Sequence, residues 1–260
     1  MASALIGGLL AKGFDASSIS VIERFEAARE NLVRTYGVRA SAAPDDATRG
    51  ADTLLLAVKP QDLRTALAPV AAVAGRMLVI SIVAGVRLAD ISRWLAGHDR
   101  IVRSMPNTPA LIGAGVAALY APRSVVPADR QRAEHILAAV GETVWVESEA
   151  LLDPVTAVSG SGPAYVFWFI EQLAQSGVSL GLAEATARKL ALQTVLGAAQ
   201  LAARSGEPAS VLRERVTSKG GTTEAALRVF DEERLAERLR RALEAASRRS
   251  TELGEQLGKD

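Results

Sequence analysis

The feature that most limits how this chain can fold is a change of rhythm near residue 150. Before it, short runs of β-branched and aliphatic residues alternate with segments whose apolar residues recur at helical spacing. The strand-like runs are Ile19–Ile22, Val38–Ala40, Thr53–Val58, Met77–Ile82, Ile101–Ser104, Gly115–Tyr120 and Thr143–Val146. Between them Arg24–Tyr36, Asp62–Val73, Leu88–Leu95 and Ala128–Val140 read as helices, and Gly13, Gly37, Gly75, Gly97 and Gly141 stand where C-terminal caps belong. That alternation is the mark of an α/β domain on a parallel sheet. After Leu152 the strands stop. Pro163–Gly177, Leu182–Ser205, Ser210–Arg215, Thr222–Phe230 and Glu233–Leu257 predict an all-α second half, which divides the chain into residues 1–152 and 153–260.

One segment of the helical half carries more apolar surface than a small bundle can cover. Tyr165, Val166, Phe167, Trp168, Phe169 and Ile170 follow one another, so every face of that helix is apolar. A second copy of the chain is the expected cover, through the helical half.

Composition removes several function classes. With 30 basic and 29 acidic residues the net charge is +1, and the arginines are interspersed with acids, so no electrostatic footprint for nucleic acid or an anionic membrane exists. The chain has no cysteine, which excludes disulfides, thiolate catalysis and cysteine zinc sites together, and is compatible with a reducing cytoplasm. No uninterrupted apolar run reaches the roughly eighteen residues of a membrane span. The first residues, Met1–Gly13, lack the basic start and cleavage pattern of a secretory signal and read instead as a small-residue amphipathic helix.

The chemistry concentrates in loops. Val216-Thr217-Ser218-Lys219-Gly220-Gly221-Thr222-Thr223-Glu224 combines hydroxyls, two residues without Cβ and a helix start. Thr222 or Thr223 is a suitable N-cap for the segment Ala225–Phe230, and the first amides of that helix favour a small anion. A capped loop without a ligand is the alternative reading. At the strand ends, Lys59-Pro60 follows Thr53–Val58, where a lysine meets either a phosphate or only solvent. Ile82-Val83-Ala84-Gly85-Val86 and Arg103-Ser104-Met105-Pro106-Asn107-Thr108-Pro109 repeat the pattern at two later strand ends, placing small residues and turn formers where a flat cofactor would lie. Glu23 and Arg24 close the first strand-like run side by side. An acid there suits a ribose 2′-OH and an arginine a 2′-phosphate, so NAD and NADP both stay open.

Other constellations are weaker. Ser159-Gly160-Ser161-Gly162-Pro163 lacks the G-x-S-x-G spacing of a nucleophile elbow, and His98 and His135, the only histidines, read as surface residues. No spacing reads as a metal site, and the G-x-x-x-x-G-K-[ST] loop does not occur. The strand and G-x-G-x-x-G/A fingerprint that open a dinucleotide-binding unit are also absent, since the sequence starts on the helix that follows them. If Met1-Ala2 is the last turn of that fingerprint, either about ten upstream residues are missing or the sheet does without its central strand.

Taken together, these segments resemble pyrroline-5-carboxylate reductase over essentially the whole chain: Met1–Gly13, Ala57-Val58-Lys59-Pro60, Ala84-Gly85, Met105–Pro109, Ser159–Tyr165 and, most specifically, Val216–Thr223. The resemblance implies an N-terminal Rossmann-like domain followed by a helical domain that binds substrate and dimerises, sometimes into larger assemblies. It implies cytoplasmic hydride transfer from NADPH (or NADH) to the C5=N bond of 1-pyrroline-5-carboxylate, giving L-proline without metal or covalent nucleophile. On it, the Gly220, Gly221 and Thr222 amides take the substrate carboxylate with Ser218 assisting, and Thr223 hydrogen-bonds the ring nitrogen. Ala57, Val58, Lys59 and Pro60 flank the adenosine-to-pyrophosphate side of the cofactor, with Arg24 nearby. Ala84, Gly85, Pro106, Asn107 and Thr108 approach the nicotinamide. The sequence departs from the family at Lys219, where proline is common, and at the missing glycine fingerprint. Two rival readings are a β-hydroxyacid or imine dehydrogenase, which would call on Lys189, and a truncated, non-catalytic dimer subunit.

Overall fold

The β-branched runs fold as expected, with ends shifted by a residue or two. In the computed structural model, which describes residues 1–259, the strands are β1 (Ser20–Ile22), β2 (Arg39–Ser41), β3 (Thr53–Leu56), β4 (Leu78–Ser81), β5 (Ile101–Met105), β6 (Gly115–Tyr120) and β7 (Gly141–Trp145). Strands β3 to β7 form one five-stranded sheet in sequence order, and β1 pairs in parallel only with β2 in a separate two-stranded sheet. The pairs β3–β4, β4–β5 and β6–β7 are parallel, as the alternation predicts, whereas β5 and β6 run antiparallel. No helix intervenes between β5 and β6. The 3₁₀ segment Thr108–Ile112 and Gly113, in the left-handed region, reverse the chain there directly.

Burial follows from strand geometry. Every residue of β4 is buried, and successive side chains serve opposite faces: Leu78 and Ile80 enter a core with Val102, Leu119 and Leu137, while Val79 enters one with Leu63, Leu67, Ile91 and Ile101. Each such leucine or isoleucine contributes about 1.5–3 kcal/mol by leaving water. The first helix, Ala2–Ala11, joins the sheets through adjacent residues, since Leu5 packs into the core of the large sheet and Ile6 into the small cluster with Leu32 and Val38 behind β1 and β2.

Contacts divide the chain into two compact units, Gly162–Leu243 and the remainder, Met1–Ser161 joined by the chain from Glu244 onward. The division at 152/153 read from the sequence therefore moves to 161/162, and the last residues belong with the sheet. The reason is packing that spacing does not reveal. Ser250 and Gly254 are buried against Asp153 and Gly85.

The helical unit contains Gly162–Ser179, Glu184–Ser205, Ala209–Arg215, Thr222–Glu232 and the start of Leu235–Leu257. Its first two helices meet where Gly177 faces Ala187, with Ala187 and Ala191 buried. The apolar surface expected to need a cover is bare in the single chain, with Phe167 at 65% and Trp168 at 59% exposure. Among the described residues no helix is long and apolar enough to cross a membrane.

Candidate active site

The residues singled out at strand ends are gathered by the sheet itself. Leu56 pairs in register with Ser81, and Ser81 with Arg103, so β3, β4 and β5 end along one edge. The segments Ala57–Pro60, Ile82–Gly85 and Ser104–Thr108 leave from that edge, the position at which open α/β sheets bind ligands. Lys59 is exposed and ends the extended chain, and Pro60 opens the following 3₁₀ turn. Gly85 has φ +83°, a conformation that favours glycine. Asn107 fixes its loop by accepting the Val116 amide hydrogen at 2.9 Å, while Pro106 is buried and Thr108 exposed.

Arg24 joins this edge although β1 lies in the other sheet. Its guanidinium stands 3.5 Å from the Asp62 carboxylate, in the turn that follows Lys59-Pro60, and it lies over the Phe25 ring. The neighbouring Glu23 is half-buried, its carboxylate engaged by the Phe25 amide hydrogen at 2.9 Å. The cation is the more exposed of this pair.

One residue of the edge, quoted within its strand-end run, was given no role of its own from the sequence. Ser104 is buried on β5, two residues before Pro106, and its hydroxyl has no hydrogen-bond partner. An unpartnered buried hydroxyl, a glycine in the left-handed region and exposed Lys59 and Arg24 together fit a dinucleotide, whose carboxamide and phosphates need donors and whose flat ring needs backbone without side chains. A serine on a strand reads as packing until its burial and missing partner are seen.

The loop of the helical unit is built on its own short-range bonds. The Thr217 hydroxyl donates to the Arg213 carbonyl at 2.7 Å, Gly220 has φ +73°, and the Gly221 amide donates to the Ser218 carbonyl at 3.0 Å. A Cβ at Gly221 would lie 2.6 Å from the Ser218 hydroxyl oxygen. Two expectations are corrected. The N-cap of the helix Thr222–Glu232 is Gly221, with no side-chain cap, rather than either threonine. Glu224, three residues past the cap, reaches back to accept the Gly220 amide hydrogen at 2.7 Å. Two of the three amides expected to meet a substrate carboxylate are therefore engaged within the loop. The amides of Thr222 and Thr223 lie in the first helical turn, where no intrahelical partner exists. Among the described residues neither threonine hydroxyl is spent on a cap or carbonyl; Thr223 is half-buried and Thr222 and Ser218 are exposed.

The remaining candidates separate clearly. His98 is not a surface residue: at 8% exposure it is buried in the turn after Leu95, with its Nε2 unpartnered. His135 is exposed as expected and stacks on Phe14. The Ser159 hydroxyl donates to the Val155 carbonyl within the π-helical turn Thr156–Gly160, so it is occupied by backbone. Lys189 is exposed on its helix, beside a shallow hollow of about 380 Å³ lined by Ala185, Thr186, Leu190 and Gln193. Among the described residues no cluster of potential metal ligands occurs.

Behind the β4 and β5 turns lies a set of buried charges. Arg103 is buried against Glu149, at 2.9 Å; burial pulls its pKa down from the ordinary guanidinium value against the pull of Glu149. Asp153 is 4% exposed. Burial pushes its carboxyl up, but hydrogen bonds from Ser250, Arg87 and Thr251 and the charge of Arg87 outweigh this and leave it below the ordinary range.

Residues 149–253 match the family described as pyrroline-5-carboxylate reductase dimerisation, and residues 1–85 match NADP oxidoreductase, coenzyme F420-dependent. A pyrroline-5-carboxylate reductase of Pseudomonas aeruginosa is 43% identical over 99% of this chain and 95% of its own length. Among solved structures, a pyrroline-5-carboxylate reductase from Coxiella burnetii superposes with a TM-score of 0.92 at 38% identity, covering 97% of this chain and 94% of its own. The pyrroline carboxylate reductase of Plasmodium falciparum, solved with NADP bound, superposes with a TM-score of 0.84 at 27% identity over the same shares.

Proposed function

The chain belongs to the pyrroline-5-carboxylate reductase family, and from that premise we propose which of its residues perform the family's reaction. It is an NAD(P)H-dependent oxidoreductase that reduces 1-pyrroline-5-carboxylate to L-proline, the last step of proline biosynthesis.

The observation that carries the site assignment is the pair of unoccupied amides and hydroxyls at Thr222 and Thr223. The two amides, at the positive end of an eleven-residue helix, take the substrate carboxylate, with the Ser218 hydroxyl assisting. Gly220 and Gly221 shape the loop, and the Gly220 amide joins the carboxylate when Glu224 turns away. The Thr223 hydroxyl hydrogen-bonds the ring nitrogen and steadies it as C5 becomes tetrahedral. When bound, the nicotinamide cofactor supplies the hydride that C5 accepts, while the C=N electron pair passes to the ring nitrogen, which takes its proton from solvent. Ala84, Gly85, Pro106, Asn107 and Thr108 give its flat ring a close backbone surface, and Ser104 adds a donor and acceptor there. Ala57, Val58, Lys59 and Pro60 flank the adenosine-to-pyrophosphate side, and exposed Arg24 favours a 2′-phosphate, hence NADPH.

The exposed Val166–Phe169 face supports a homodimer through the helical part, with larger assemblies built from dimers. The division into a dinucleotide-binding part and a helical substrate-binding part belongs to the same reading, as does a cytoplasmic location. A β-hydroxyacid or imine dehydrogenase would require Lys189, which is exposed on its helix, and would leave the Gly220–Thr223 loop without a role. Turnover of 1-pyrroline-5-carboxylate by Thr223→Ala and Thr223→Ser tests the site: the serine variant keeps activity that the alanine variant loses, whereas equal, undiminished turnover in both removes Thr223 from the reaction.

A further inference from the structure

The turn after β4 is fastened from behind by the end of the last helix. Asp153 accepts hydrogen bonds from Arg87 Nη2 at 2.7 Å, Ser250 Oγ at 2.7 Å and Thr251 Oγ1 at 3.0 Å. One helical turn beyond Ser250, on the same face, Gly254 lies against the turn itself. A Cβ there would stand 2.7 Å from the Gly85 carbonyl oxygen and 3.1 Å from Arg87 Nε. From the other side, a Cβ on Gly85 would meet Leu257 Cδ1 at 3.3 Å. The segment is held at two further points: Glu149 accepts the Leu88 amide hydrogen at 2.8 Å, and Arg93 donates to the Gly258 carbonyl at 2.8 Å. Glu149 also holds Arg103, so the β4 and β5 turns share an anchor.

Stability alone does not call for this arrangement. Buried ion pairs contribute little compared with apolar packing of the same volume, and their best-attested use is to fix one register among several. Here the register fixed is that of the Gly85 carbonyl and its two flanking peptides. We propose that Gly254, with Asp153, Ser250 and Thr251, positions the Ala84–Gly85 turn for the nicotinamide half of the cofactor. This rests on the reading that the turn approaches the nicotinamide. None of the four touches cofactor; they act through Gly85 and Arg87.

The test is steady-state kinetics with NADPH on Gly254→Ala, Ser250→Ala and Gly85→Ala, with the exposed Glu255→Ala as control on the same helix. Binding of 2′-phospho-ADP-ribose, which lacks nicotinamide, is measured alongside. A displaced turn predicts a KM for NADPH raised about ten-fold in Gly254→Ala, with fragment binding unchanged. Ser250→Ala, which removes one hydrogen bond, raises it about three-fold. Glu255→Ala matches the parent. Activity lost only in proportion to the unfolded fraction, with KM per folded molecule unchanged, overturns the proposal, as does an equal loss of fragment binding. If Gly85→Ala alone raises KM while Gly254→Ala and Ser250→Ala do not, the positioning role fails and the reading of the turn stands. If Gly85→Ala is also silent, both fail.

Discussion

Arg24 holds its guanidinium 3.5 Å from the carboxylate of Asp62, and through this contact the end of β1 lies beside the turn that ends β3, although the two strands belong to different sheets. Both side chains are well exposed, so the pair itself contributes about 1 kcal/mol or less to stability. Its importance is where it leaves the arginine.

Replacing Arg24 by alanine therefore separates cofactor choice from folding. The KM for NADPH rises about ten-fold, that for NADH changes little, and the melting temperature stays within a degree or two, as expected for an exposed pair. Paired titrations of initial rate against the two cofactors give the ratio. An equal rise for both removes Arg24 from recognition of the 2′-phosphate.

At Gly221 the loop has no room. Its Cβ would come within 2.6 Å of the Ser218 hydroxyl oxygen, so Gly221→Ala pushes aside one of the groups assigned to the substrate. The KM for 1-pyrroline-5-carboxylate rises about ten-fold or more and that for NADPH is unchanged. A cofactor effect as large as the substrate effect contradicts the assignment.

Acid stability reports on Asp153. Its pKa is held below the unfolded value of about 3.9, so its contribution is complete above that value and is lost as pH falls through the folded one. Asp153→Asn lowers stability at neutral pH and flattens the dependence of stability on pH below about 4. Urea unfolding at a series of pH values checks the slope. A variant that keeps the parent's slope shows that other carboxyls carry the acid sensitivity.

The exposed aromatic face predicts its own consequence. Trp168→Glu places a charge in the surface proposed as the homodimer interface, and dissociation is expected at micromolar concentration, read by light scattering. A variant that remains as associated as the parent moves the interface elsewhere.

What could be read from the sequence follows from range. Strands such as Thr53–Leu56 and Leu78–Ser81 declare themselves through consecutive β-branched or aliphatic residues, and the turns at Lys59-Pro60 and Pro106-Asn107 through their own chemistry. The reversal of β6 was hidden because a parallel and an antiparallel neighbour have the same alternation, and only the short Thr108–Gly113 connection decides between them. The loop at Gly220 was legible as a glycine turn opening a helix, but not that Glu224 would turn back on it. Asp153 and Ser250 are 97 positions apart, so no local pattern announces their bond, and with it the return of the last helix to the sheet was missed. His98 follows a glycine, which suggested a surface turn, yet it is buried there.

The most direct measurement is NADPH oxidation by this 260-residue chain with 1-pyrroline-5-carboxylate, compared with β-hydroxyacids and other cyclic imines, with proline quantified as product. The expected result is that 1-pyrroline-5-carboxylate is consumed with one NADPH per proline formed, and that turnover collapses in Thr223→Ala. NADPH oxidised preferentially with another substrate, or proline formation undiminished in that variant, would contradict it.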